Sequence, residues 1–182
     1  MSRVWRDDSD ASNLVKVNYA YFDSPIGPLL IAGHAEAIMR ISFPKDGKPL
    51  PPDAGWMESA LGPIGETILQ LGEYFAGRRR EFDLPLAPAG TSFQKSVWQQ
   101  LREVPYGVTI SYGELAKRVG NPKASRAVGA ANGKNPLPIV VPCHRVIGSN
   151  GKLVGFGGGL PIKERLLEIE MKARNQMIAI PS

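Results

Sequence analysis

Apolar and polar positions alternate at the start of the chain. Val15, Val17, Tyr19 and Tyr21 recur at every second residue over residues 14–22, the period of a half-buried strand. Asp23-Ser24-Pro25-Ile26-Gly27-Pro28 interrupts that run with turn-forming residues. Residues 29–32 and 38–43 then supply two further short strands. The Pro- and Gly-rich stretch 44–55 reads as a loop. Over residues 64–76 the period changes: Ile64, Ile68, Leu71 and Phe75 lie at helical spacing, and Gly77 ends the helix. The first half is therefore a small α+β unit, followed by a linker over residues 84–90, with no internal repeat.

In the second half, Thr91 or Ser92 can cap a helix that carries Val97, Trp98 and Leu101 inward. Val104-Pro105-Tyr106-Gly107 ends it, and Val108-Thr109-Ile110 makes a short strand. Ser111-Tyr112-Gly113-Glu114 has the capping-box pattern S-x-x-E, opening a helix that stops at Gly120. Asn121 is placed to cap the next helix and Pro122 to occupy its first position. Two short helices joined by a tight turn form a helix-turn-helix. The second of them, residues 122–131, is nearly all small: Ala124, Ser125, Ala127, Gly129, Ala130 and Ala131, with Lys123 and Arg126 as its reach. Gly129 costs about 1 kcal/mol against alanine, so close approach to a partner, or tight packing inside the domain, is the reason for it.

Composition changes this picture in two respects. The chain has 182 residues, ordinary apolar and charged content and a single cysteine, which excludes an internal disulfide and suits a reducing compartment. Residues 1–13 carry three aspartates and no apolar core, unlike a secretory signal, and read as a loose segment. No apolar stretch reaches the roughly 20 residues of a membrane span. A soluble, intracellular protein is expected. The net charge of +5 is unevenly spread: residues 1–90 hold 9 Lys/Arg against 12 Asp/Glu, and residues 91–182 hold 13 against 5. A basic second half of net +8 is suited to a polyanion, although solubility alone also accounts for it.

The chemistry concentrates around the cysteine. Ile139-Val140-Val141 is a β-branched run that reads as a strand closed by Pro142, so Cys143 lies at a strand end. A lone buried cysteine is most often a small hydrophobe. Against that stand the polar residues Asn135, His144 and Arg145 in an otherwise apolar segment. Neighbours in an extended chain point to opposite faces, so Cys143 and His144 are not a direct hydrolase dyad. Two histidines and one cysteine are too few for a Cys/His metal centre. A thiol activated by imidazole through a turn or a water remains, beside two rivals: a cysteine hydrolase, and a non-catalytic helix-turn-helix DNA-binding protein with a structural cysteine.

Pro142-Cys143-His144-Arg145-Val146, with Asn135-Pro136 before it and Ser149, Gly155 and Gly158-Gly159-Leu160 after it, resembles the active-site segment of the O6-alkylguanine-DNA alkyltransferases, the methylated-DNA–protein-cysteine methyltransferases. Ser111-Tyr112 and Asn121-Pro122 with Arg126-Ala127-Val128-Gly129 extend the likeness, which covers residues 91–171 closely. In the first half it rests on Asp23-Ser24-Pro25-Ile26-Gly27 and Tyr74-Phe75-Ala76-Gly77. The resemblance implies an α+β fold. A small ribonuclease H-like α/β domain over residues 1–89 precedes a winged-helix-like, helix-turn-helix domain over residues 90–182 that carries the active site.

The resemblance also implies a role for each matching residue. Cys143 would accept an alkyl group from O6-alkylguanine (or O4-alkylthymine) flipped out of double-stranded DNA, once and irreversibly. His144 would take the thiol proton through a water, oriented by Glu170. Asn135 would tie the helix-turn-helix to the active-site turn, and Tyr112 would donate to the departing guanine. Arg126 would fill the gap left by the base, with Tyr112, Gly113, Asn121, Ala127 and Ser149 on DNA and the second helix in the minor groove. Val146, Ser149 and Phe156 would line the base pocket. No cofactor is implied. The structural zinc held by some members lacks its ligands here, and relatives that bind lesions without repairing them lack the cysteine. A monomer working in the cytoplasm, or in the nucleus of a eukaryote, completes the expectation.

Overall fold

The computed structural model describes Trp5 and residues 16–178, with side chains through residue 175. Apart from Trp5, the expected loose segment 1–13 lies outside the described residues, as do the first two positions of the alternating run at 14–22. The chain forms two compact units, Met1–Ala89 and Gly90–Ser182.

In the first unit, strands β1 (Asn18–Ser24), β2 (Gly27–His34), β3 (Ala37–Ser42) and β4 (Met57–Glu58) form one sheet in the order β3-β2-β1-β4. Ser24 pairs with Gly27 across the β1–β2 hairpin, leaving Pro25-Ile26 as a two-residue loop. Gly27 takes a φ of 99°, a conformation open to glycine at little cost. The central β2 buries Leu29, Leu30, Ile31 and Ala32 completely, so it shows no alternation. Helix α1 (Pro63–Phe75) starts with proline at its first position and turns Ile64, Thr67, Leu71 and Tyr74 inward at three- and four-residue spacing. Gly77, at φ 71°, ends it.

Two expectations change here. The two-residue β4, parallel to β1 at the sheet edge, is too short to leave a periodic signal. Part of the expected linker belongs to the fold: Leu84, Leu86 and Ala87 are buried. The Ile38 N–H donates to the Pro85 carbonyl, and the Ala87 N–H donates to the Ile38 carbonyl. Pro85 and Pro88 lack an N–H, but the Ala87 N–H between them is free to join β3, which is how a proline-rich segment can line a sheet edge.

The second unit opens with α2 (Ser92–Arg102). Thr91 caps it in a full capping box: its hydroxyl accepts from the Gln94 N–H and the Gln94 side chain accepts from the Thr91 N–H. Val97, Trp98 and Leu101 are buried. The Trp98 indole donates to the Ala131 carbonyl at 2.9 Å, and Gly90 lies flat against its ring, where a Cβ would come within 2.5 Å. β5 (Ile110–Ser111) pairs in parallel with β6 (Val146–Ile147).

Helix α3 (Tyr112–Arg118) begins at Ser111, whose hydroxyl accepts from the Glu114 N–H; Glu114 itself pairs with Arg118. Gly120 at φ 79° ends α3. Its N–H donates to the Lys117 carbonyl and that of Asn121 to the Ala116 carbonyl, the two bonds of a Schellman turn. α4 (Ser125–Gly133) starts three residues later than expected, capped by Ala124 without a side-chain bond. Asn121 lends its carbonyl, not its side chain, to the turn. α5 (Leu160–Ile178) closes the unit.

The β-branched run before the cysteine is not a strand. Ile139 has φ 73°, rare for a β-branched residue, and the Val141 N–H closes back on the Leu137 carbonyl at 2.8 Å. Pro138 cannot donate to a ladder. Leu137, Ile139 and Val141 meet their apolar demand by burial within a turn.

Candidate active site

That turn delivers the cysteine. Leu137–Val141 folds back on itself, and Cys143–Arg145 forms one turn of 3₁₀ helix. Asn135 holds both ends of the turn: its amide donates to the Val141 carbonyl at 2.8 Å and its oxygen accepts from the Leu137 N–H at 3.0 Å. Asn132, buried on α4, reaches the Cys143 carbonyl at 3.4 Å. The helix-turn-helix and the cysteine turn are thus tied together through two asparagines. Asn132 went unnoticed in the sequence because its neighbours in α4 are small and uninformative.

Behind the cysteine lies a fully buried charged cluster. His144 Nε2 meets Glu170 Oε1 at 2.8 Å with both side chains excluded from solvent. The Arg145 guanidinium donates to Glu170 through Nε and Nη2, at 3.0 and 2.9 Å, and to the Val104 carbonyl through Nη1. The Gly107 N–H adds a further bond to Glu170 Oε2 at 2.8 Å. Burial alone would push the Glu170 carboxyl up, but His144 and Arg145 outweigh it and hold it well below the usual carboxylate range. Burial pushes His144 down despite the pull of Glu170, leaving a neutral ring. With Nε2–H donated to the anionic Glu170, Nδ1 carries the lone pair. That Nδ1 is buried and has no protein partner. A neutral imidazole with one nitrogen fixed and the other open is a proton acceptor awaiting a donor.

The Cys143 thiol is buried and free. Burial raises it to about 11, against the opposing influence of Asn135, Lys163 and backbone N–H groups. It rests as a thiol and needs a base to become a nucleophile. Tyr112, at the start of α3, is raised by burial and then by Cys143, so its phenol is a proton donor. Its hydroxyl makes long contacts of 3.5 Å with the Val154 and Gly155 carbonyls.

An open cavity of about 510 Å³ lies between α4 and the 154–157 loop, lined by Tyr112, Arg126, Gly129, Gly133, Val154 and Phe156 among others. Arg126 and Ala127 are exposed on α4. Of the residues singled out in the sequence, Cys143, His144, Glu170 and Asn135 converge, and Tyr112, Arg126 and Phe156 line the cavity. Gly113 is half-buried in the first turn of α3 and Asn121 is exposed in the helix-turn-helix turn. Val146 is buried, its carbonyl taken by Lys163 at 2.6 Å. Ser149 sits in an exposed turn and is not among the residues lining the cavity. Arg145 and Lys163 are the buried charged residues that sequence reasoning left without a role. Arg145 was visible as a polar intruder, whereas nothing in the pattern of α5 distinguishes Lys163 from a solvated lysine. Among the described residues no group of three or more His, Cys, Asp or Glu could hold a metal ion, and no helix is long and apolar enough to cross a membrane.

Comparison with known proteins agrees across both units. Residues 92–172 match the 6-O-methylguanine DNA methyltransferase DNA-binding domain, and residues 17–88 its ribonuclease-like domain. The methylated-DNA–protein-cysteine methyltransferase of Methanosarcina acetivorans is 55% identical over 84% of this chain and 97% of its own length. The crystal structures of Mycobacterium tuberculosis O6-methylguanine methyltransferase and of M. tuberculosis OGT in complex with DNA each superpose with a TM-score of 0.79. In both the identity is 46%, covering 86% of this chain and 94% of the other. With both domains matched in order and 55% identity to a relative over 152 residues, the chain belongs to the 6-O-methylguanine DNA methyltransferase family.

Proposed function

We propose that this protein repairs DNA by moving an alkyl group from O6 of guanine onto Cys143, once per molecule. The observation that carries the reading is the open Nδ1 of His144, held by a buried carboxylate behind the chain's only thiol. In duplex DNA the O6 substituent is stacked away from any nucleophile, so the base must leave the helix for the cavity beside α4. The thiol proton passes through a water to His144 Nδ1. The new imidazolium is stabilised by Glu170, which Arg145 keeps ionised. The sulfur attacks the alkyl carbon; the S–C bond forms as the C–O6 bond breaks, and guanine takes the leaving electron pair. Tyr112 supplies the proton that turns it into neutral guanine, and His144 returns one to the tyrosine by way of solvent. The net change is an alkyl group gained and a proton lost at sulfur, and the reverse at guanine.

The exposed, small-residue surface of α4 fits close approach to the minor groove, with Arg126 as the side chain long enough to fill the space of a flipped base. Base readout in the major groove calls for Arg, Asn or Gln on that surface, which disfavours a purely sequence-reading role. The basic second half supplies the salt-dependent attraction to phosphates. The cytoplasm is the compartment that suits one reduced thiol and a DNA substrate.

The test is stoichiometric. Incubation with duplex DNA bearing O6-methylguanine is expected to add one methyl group to the peptide holding Cys143, to a one-to-one endpoint. Cys143→Ala is expected to abolish transfer while sparing DNA affinity. Multiple turnover, no mass gain, or a methyl on another residue would overturn the reading.

A further inference from the structure

Lys163 is fully buried, and among the described residues no carboxylate pairs with it. Its ammonium donates to the Val146 carbonyl at 2.6 Å and the Val154 carbonyl at 2.9 Å, and stands 5.9 Å from the centre of the Phe156 ring. An ammonium has three donors; these two bonds leave one N–H over. The cation is thereby fixed between the strand that follows the nucleophile, since Val146 is three residues beyond Cys143, and the rim of the cavity at Val154 and Phe156. Burying a lysine without a counter-ion is costly, and the two carbonyls meet only its hydrogen-bonding needs.

The other charges nearby are already matched. Glu170 on α5 is held by Arg145, His144 and the Gly107 N–H, and Tyr112 on α3 is a neutral phenol. We infer that Lys163 is the counter-charge of the Cys143 thiolate: its ammonium, pinned between Val146 and Val154, stabilises the anion that forms when the thiol gives up its proton. The inference rests on Cys143 being the acceptor proposed above. Burial pushes the Cys143 thiol up and the Lys163 ammonium down, and each partly offsets the shift of the other, Lys163 drawing the thiol down and Cys143 drawing the lysine up. Lys163 is thus a positioning and charge-balancing residue that acts through sulfur.

A chain with one cysteine allows a direct test. Protein labelled with ¹³C at cysteine Cβ gives a single resonance whose position reports thiol or thiolate. Lys163→Gln keeps a donor for the carbonyls and removes the charge; Lys163→Met removes both. Both are expected to raise the thiol midpoint by about one pH unit, a tenfold loss of thiolate at a given pH. A midpoint that stays put, or that moves only in Lys163→Met, overturns the assignment. Should neither variant fold, Cys143→Ser supplies the reciprocal measurement: the Lys163 ammonium is expected to lose its proton at lower pH in that variant than in the wild type. Equal values would overturn the inference. Methyl transfer by the wild type is scored separately, so failure of the functional reading shows as no transfer whatever the midpoints do.

Discussion

The two units bury polar groups for different ends. Among the described residues of the first, the buried polar side chains are the neutral Thr67 and Gln70. Gln70 takes a hydrogen bond from the Asp83 N–H and gives one to the Asp83 carbonyl, lacing the chain after α1 to the helix. The ion pairs Arg40–Asp53 and Arg79–Glu73 of this unit are partly solvated. In the second unit His144, Arg145, Lys163 and Glu170 are all buried. A neutral side chain that stitches backbone together gains about 1 kcal/mol per bond. Buried ions are a poor route to stability, so a cluster of four beside a cavity and a thiol marks where function has set the composition.

Removing Glu170 should break this contrast most. Glu170→Gln leaves the Arg145 charge buried without an anion and His144 without its orienting carboxylate. Transfer to Cys143 is expected to fall about 100-fold, with a stability loss of about 3 kcal/mol by denaturant titration. The sign of the pH effect is fixed as well. The folded protein holds the Glu170 carboxyl below its unfolded value of about 4.3, so its stabilisation is complete above that pH and is lost as pH falls. The acid limb of the Tm–pH curve should flatten in Glu170→Gln. An unchanged limb would show that the buried ions do not govern acid stability.

A smaller effect is expected of Gly90→Ala. Its Cβ would press on the rigid Trp98 ring at 2.5 Å, costing about 1–3 kcal/mol without touching the charged cluster. The smallest belongs to the first unit. Asp53→Asn loosens a partly solvated pair in which one Arg40 nitrogen, Nη1, donates to both carboxylate oxygens, and it should change stability by under about 1 kcal/mol. A larger loss there would erase the distinction between the units.

The sequence showed this division only in part. Strand alternation, short apolar runs, helical spacing and glycine stops located β1 to β3, α1, α2 and α3, because each depends on neighbours a few residues away. The motif Pro142-Cys143-His144-Arg145-Val146 pointed to the chemistry. Two features escaped because they depend on distant partners. Ile139-Val140-Val141 has the composition of a strand, yet no ladder lies beside it, and Pro138 with a left-handed Ile139 folds it into a turn. Lys163 occupies a helix position like any surface lysine, but its buried ammonium bonds the Val146 and Val154 carbonyls, which lie 17 and 9 residues earlier in the chain. Residues 84–90 were read as linker from their prolines, although the Pro85 carbonyl and the Ala87 N–H are free to pair with Ile38.

The contacts of Glu170 also set an order of events during synthesis. Its partners lie 25, 26 and 63 residues earlier in the chain. The first unit closes its sheet with residues that have all emerged by Ala87, and can fold while the rest is still being made at about 5–20 residues per second. The thiol is translated well before α5, and until that helix docks His144 has no carboxylate and Arg145 no anion. A nascent chain therefore carries an unactivated cysteine, and the site acquires its chemistry only when its last helix arrives.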